Sequence, residues 1–130
     1  MDKQNYNILV VSSDETERQE LIEHLTVSNP QFHLSGVDAI GKLDDAMKGT
    51  DGPCFSVVIA SIELSDAAGI EVVGAISQVI PKAKLFLLAN VKDLGKYHRD
   101  LDHNIIFDIM CRPLNLPYVY HCVEMSISLD

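Results

Sequence analysis

The sequence predicts an α/β architecture in which five parallel strands form one sheet with helices packed on both faces. Three observations carry this expectation. Five short apolar runs recur along the chain, Ile8 to Val11, Phe32 to Val37, Phe55 to Ala60, Lys84 to Leu88 and Ile105 to Cys111. Runs such as VVIA and LFLL do not alternate with polar residues, which marks strands covered on both faces, as in a parallel sheet between helical layers. The stretches between the runs carry helical spacing or helix-start and helix-stop residues. Strand then helix, five times over with right-handed crossovers, gives a doubly wound, three-layer sandwich.

Each element has its own local cause. After the first run, Asp14 is a good N-cap for a helix with Leu21, Ile22 and Leu25 on one face, which ends before Asn29-Pro30. A weaker helix follows the second run, over Gly41 to Lys48. Gly69 to Ile80 sets Ile70, Val73, Ile76 and Ile80 at helical spacing, and Pro81 stops it. Gly74 lies inside that helix, where glycine costs about 1 kcal/mol relative to alanine, so close packing is expected there. Lys92 to about Leu101 is a second weak helix, and the last follows Pro117 with Val119, Cys122, Val123 and Ile127 in one stripe.

Length and composition bound the rest. A chain of 130 residues and 14.4 kDa is expected to be one domain, residues 1–130. With 47% hydrophobic residues against 7 Gly and 5 Pro, disorder and low-complexity linkers are excluded. Cys54, Cys111 and Cys122 lack CxxC spacing and read as buried free thiols in a reducing compartment. The balance of 19 acidic against 10 basic residues, net −9, repels phosphate backbones and anionic membranes, so direct nucleic-acid or membrane binding is not expected. The start MDKQNYNILVV lacks a cleavage site of the secretory kind, and no window is apolar enough for a membrane helix. A cytoplasmic protein is expected.

In a doubly wound sheet, ligands sit at the carboxyl ends of the strands. Those ends carry Ser12 and Ser13, then Ser61, then Ala89 and Asn90, then Arg112. Other chemistries lack their residues. His24, His33, His98, His103 and His121 show no i, i+4 pair for zinc, and neither GxxxxGK[ST] nor GxGxxG occurs. Ser12-Ser13-Asp14-Glu15 has too few hydroxyls and two acids in the way for a flavin phosphate loop. No nucleophile is paired with a base in a recognisable pattern, so an enzyme is not expected. Lys92, Lys96 and Arg99 would form a basic stripe on a helix, and Tyr118 and Tyr120 could add aromatic anchors to a neighbouring face.

Four blocks carry a resemblance: ILVVSSDETERQELIEHL, SVVIASIELSDAAGIEVV, PKAKLFLLAN and FDIMCRP. Together they resemble the response-regulator receiver domain of two-component signalling over nearly the whole chain. The resemblance implies a flavodoxin-like fold with strand order 2-1-3-4-5, and phosphoryl transfer from a kinase histidine to an aspartate with Mg²⁺. It places Ser61 at the phosphoacceptor position, Ser12 and Ser13 at the acidic pair, Ala89 at the hydroxyl switch, Ile109 at the aromatic switch and Arg112 at the lysine. Three carboxylates have become hydroxyls, so neither Mg²⁺ nor an aspartyl phosphate is expected.

The expected function is therefore that of an atypical pseudo-receiver, acting in a phosphorelay pathway by phosphorylation-independent binding of another protein. A kinase, effector or output domain, or a second copy, would dock on the face of the fourth helix, fifth strand and fifth helix, over Lys92, Lys96, Arg99, Tyr118 and Tyr120. Arg112 is expected to pair with Asp14, Glu63 or Asp66. Two alternatives stand beside this: an anion or small-molecule sensor built on Ser12, Ser13, Ser61 and Arg112, and a phosphorylatable regulator in which Asp14 and Glu63 hold Mg²⁺. With no effector region after the last helix, the chain reads as a stand-alone regulator or a piece of a longer protein.

Overall fold

The apolar runs become strands β1 (Tyr6–Val11), β2 (Phe32–Val37), β3 (Val57–Ser61), β4 (Lys84–Ala89) and β5 (Ile106–Cys111) in a computed structural model that describes residues 5–48, 55–97 and 104–128. They pair in parallel in the order β2-β1-β3-β4-β5, as the resemblance implied. Between them run α1 (Glu15–Ser28), α2 (Leu43–Lys48), α3 (Ile70–Val79), α4 (Val91–Tyr97) and α5 (Leu116–Ser128), with a 3-10 turn over Ile40–Lys42 ahead of α2. Cys54, His98, Arg99 and His103 lie outside the described residues. So does the stretch from residue 98 to Leu101 that was expected to extend the fourth helix.

Side chains alternate across each strand and so feed two cores. Leu9, Val11, Val58, Ala60, Leu85 and Leu87 pack under α3 with Val72, Val73 and Ile76. On the other face Ile8, Val10, Val57, Ile59, Phe86 and Leu88 meet Leu21 and Leu25 of α1 and Val119 and Val123 of α5. Every residue of β3 is buried, which is why its sequence has no polar alternation. Both faces of the central strands are therefore committed to packing, and only their ends are free for chemistry.

Several local expectations need correction. In α3 the inward stripe is Val72, Val73, Ile76 and Ile80, while Ile70 is 59% exposed. At about 100° per residue, Ile70 falls roughly 105° from the centre of that stripe. Gly74 faces outward, and an added Cβ would meet nothing within 4 Å, so close packing does not explain it. Cys111 is exposed and Cys122 half-buried, because both lie beside the open edge of the sheet at β5. At that edge the register between β4 and β5 shifts, pairing Leu85 with Ile106 and Phe86 with Asp108, which leaves Phe107 as a bulge. No helix among the described residues is long and apolar enough to cross a membrane.

Candidate functional site

The carboxyl ends of β1, β3, β4 and β5 converge on an open depression of about 500 Å³ lined by Ser12, Ser13, Asp14, Glu17, Ser61, Glu63, Asn90, Asp93 and Arg112. At its centre lies an ion pair that sequence reasoning missed. Arg112, directly after β5, donates from Nε to Glu17 Oε1 at 2.7 Å and from Nη2 to Glu17 Oε2 at 3.0 Å. The two side chains are 24% and 12% exposed, so the bidentate pair is largely shielded from solvent. Hydrogen bonding to Glu17 holds the Arg112 guanidinium above its ordinary pKa against the opposing effect of burial. Asp14, Glu63 and Asp66, the acids expected to pair with Arg112, are not its hydrogen-bonding partners.

Each of those acids has other work. Asp14 caps α1, its Oδ1 accepting the Glu17 backbone N–H at 3.0 Å. Asp66 accepts the N–H groups of Ile40 and Gly41 at 3.1 and 3.0 Å and so starts the 3-10 turn. Glu63 Oε1 accepts the Tyr97 hydroxyl of α4 at 3.1 Å, with Lys96 Nζ 3.9 Å away. Glu17 stands three residues after Asp14, in the first turn of the helix Asp14 caps, a spacing at which an acid commonly turns back toward the cap. Here the Asp14 N–H is bonded to Ser12 Oγ at 3.2 Å and Glu17 turns to Arg112 instead, so the D-x-x-E spacing gave no signal for the pair.

The hydroxyls are also engaged. Ser12 is fully buried and donates to Glu17 Oε2 at 2.8 Å. Ser61 accepts from Arg112 Nη2 at 3.0 Å and donates to the Glu63 carbonyl at 2.8 Å. Ser13 turns away from Arg112, donating to the Asp38 carbonyl at 2.7 Å and accepting the Ser65 N–H at 2.8 Å, which ties two loops together. Thus Ser12, Ser61 and Arg112 meet around Glu17, while Ser13, Asp14 and Glu63 serve neighbouring structure. Ala89 is buried, Ile109 is half-buried against the α3-side core, and the Arg112-Pro113 peptide is cis.

No protein-family model matches the sequence, and no curated protein matches it. Solved structures do. A signal receiver domain of an HD domain-containing protein from Pseudomonas fluorescens Pf-5 superposes with TM-score 0.79 at 18% identity, covering 98% of this chain and 90% of that one. The non-phosphorylated HemR receiver domain from Leptospira biflexa gives 0.75 at 19%, covering 97% of both chains. The chain has the receiver-domain fold. An adenylate cyclase from Rhodopirellula baltica shares it at TM-score 0.80 and 18% identity, over 95% of this chain and 88% of that one, a likeness of fold alone.

Within the receiver fold, the residues expected on the face of α4, β5 and α5 divide. Tyr118 is 56% exposed at the β5 side of α5, where contact with Cys122 holds its phenol above the ordinary pKa. Tyr120 does not join it. Its ring packs on Phe32 of β2 at 5.8 Å and its hydroxyl donates to Glu124 at 2.6 Å, because two positions along a helix face away from each other. Lys92 is exposed, whereas Lys96 leans toward Glu63 and over the Tyr97 ring. Phe107 at 44% and Met125 at 48% exposure extend the Tyr118 edge and were not expected. The bulge brings Phe107 against Phe86, with Lys84 over its outer face.

Proposed function

We propose that this chain is a signalling module of the two-component class that works by binding another protein and is not switched by phosphorylation. The observation that carries this reading is the bidentate Arg112–Glu17 pair with Ser12 and Ser61 bonded into it. In the receiver pattern Ser61 stands where an aspartate takes the phosphoryl group, Ser12 and Ser13 where an acidic pair holds Mg²⁺, and Arg112 where a lysine meets the phosphoryl oxygens. Here the cation has an anion of its own, supplied by Glu17, and a hydroxyl stands where a carboxylate nucleophile would be needed.

Mg²⁺ does not fit these residues. A hard cation such as Mg²⁺ needs at least one or two carboxylates free to ligate it, beside its waters. Ser12, Ser13 and Ser61 offer neutral hydroxyls, Glu17 is neutralised by Arg112, Asp14 caps a helix and Glu63 is held by Tyr97. Among the described residues, no group of three or more metal-binding side chains is arranged around a common point. An anion sensor is no better supported, because Asp14, Glu17, Glu63 and Asp93 line the depression against a single, already paired Arg112. The usual switch is short of groups as well, since Ala89 has no hydroxyl and Ile109 no aromatic ring.

Output then comes from docking, not from chemistry, and the module is not an enzyme. The edge formed by Phe107, Tyr118 and Met125, with Lys92 on the neighbouring α4, is the surface for a kinase, effector or output domain, or for a second copy. Titrating the isotope-labelled chain with Mg²⁺ tests the reading. The amides of Ser12, Ser61 and Asn90 should stay unshifted at millimolar Mg²⁺; saturable shifts confined to them would restore Asp14 and Glu63 as metal ligands and overturn it.

A further inference from the structure

α4 is weakly held by packing, since none of its residues is buried, and only Leu94 and Tyr97 of its apolar side chains reach the α3-side core. Tyr97 has a more particular seat. Its ring lies over Gly69, where an added Cβ would stand 2.6 Å from Tyr97 Cδ1, and Gly69 has φ of +61°, so two constraints keep that position a glycine. Above this slot the Tyr97 hydroxyl donates to Glu63 Oε1 at 3.1 Å.

Glu63 is in turn tied to the site. The Ser61 hydroxyl donates to the Glu63 carbonyl at 2.8 Å and accepts from Arg112 Nη2 at 3.0 Å, and Arg112 holds Glu17 at 2.7 and 3.0 Å. A path thus runs from α1, through the end of β5, the end of β3 and its following loop, to α4, hydrogen-bonded at each step except within Glu63, where it passes from the backbone carbonyl to the side-chain carboxylate. It bypasses Ala89 and Ile109.

We infer that Tyr97 is a latch through which the Arg112–Glu17 pair, by way of Ser61 and Glu63, sets the position of α4. This deepens the reading above by naming the element that the closed site controls. Contiguity alone does not establish coupling; non-additivity does. The test therefore reads motion within the chain and not partner binding, so the latch and the phosphorylation-independent reading fail separately.

Amide hydrogen exchange is measured in α4 for the intact chain, for Tyr97→Phe, for Arg112→Met and for the double variant. Tyr97→Phe keeps the ring on Gly69 and removes only the hydroxyl, so α4 should exchange about fivefold faster, the factor that one ordinary hydrogen bond supplies, with α1 unchanged. Arg112→Met should also speed exchange in α4, and in the double variant the two factors should not multiply. Unchanged α4 exchange in Tyr97→Phe, or full multiplication in the double variant, would overturn the latch. If Arg112→Met does not fold, Ser61→Ala breaks the path at its middle and is judged by the same two outcomes.

Discussion

Arg112 and Glu17 illustrate how a partly buried ion pair acts on stability. With both partners present and Ser12 and Ser61 completing the hydrogen bonds, desolvation is offset. Removing one partner leaves the other shielded and alone. Arg112→Ala should therefore lower unfolding free energy by about 3 kcal/mol, whereas Arg112→Met with Glu17→Met should recover part of that loss. Denaturant melts of the two variants check this, and a loss in Arg112→Ala equal to that of the double would show that the pair does not hold the fold in this way. Ser61→Ala forfeits the hydrogen bonds to Arg112 and to the Glu63 backbone, and should cost only about 1 kcal/mol by the same measurement. At this scale the sequence showed that Arg112 needed an acid near the strand ends. It pointed to Asp14, Glu63 or Asp66 and passed over Glu17, because the choice depends on where α1 is laid against β5. The caps drew Asp14 and Asp66 away, and Tyr97 drew Glu63.

At the scale of elements, two glycines give opposite expectations. Gly74→Ala adds a methyl group into open space in the middle of α3 and should stabilise by about 1 kcal/mol, read as a rise in melting temperature. Gly69→Ala, at φ of +61° under the Tyr97 ring, should destabilise by at least about 1 kcal/mol, and an unchanged melt would mean that the loop re-forms around alanine. Central strands were legible because burial on both faces leaves long apolar runs, and the start of α1 because Asp14 caps it. The face of α3 was misread at Ile70 because an apolar residue at the right spacing from Val73 can still lie on the flank of the stripe. The Phe107 bulge had no local signature, since it reflects how β5 closes against β4.

For the whole molecule, the order β2-β1-β3-β4-β5 brings Ser12, Ser61 and Arg112 together at one end of the sheet, and sequence blocks sufficed to anticipate that. What they did not contain is the direction of each side chain. Tyr118 and Tyr120 are near neighbours in sequence, yet one lines the β5 edge and the other packs on Phe32, so the proposed docking surface on Phe107, Tyr118 and Met125 is more apolar than a basic stripe would be. Substituting Tyr118→Asp with Met125→Asp, both exposed, should leave the melting temperature within about 2 °C and abolish association with the partner or second copy; retained association would move the output elsewhere.

On the proposed function, the Arg112–Glu17 ion pair has closed the site to phosphoryl chemistry. Incubation with Mg²⁺ and phosphoramidate or acetyl phosphate, followed by intact-mass spectrometry, tests it most directly. The mass should remain unmodified. A labile phosphate adduct would contradict it and make this chain a phosphorelay component with an unconventional site.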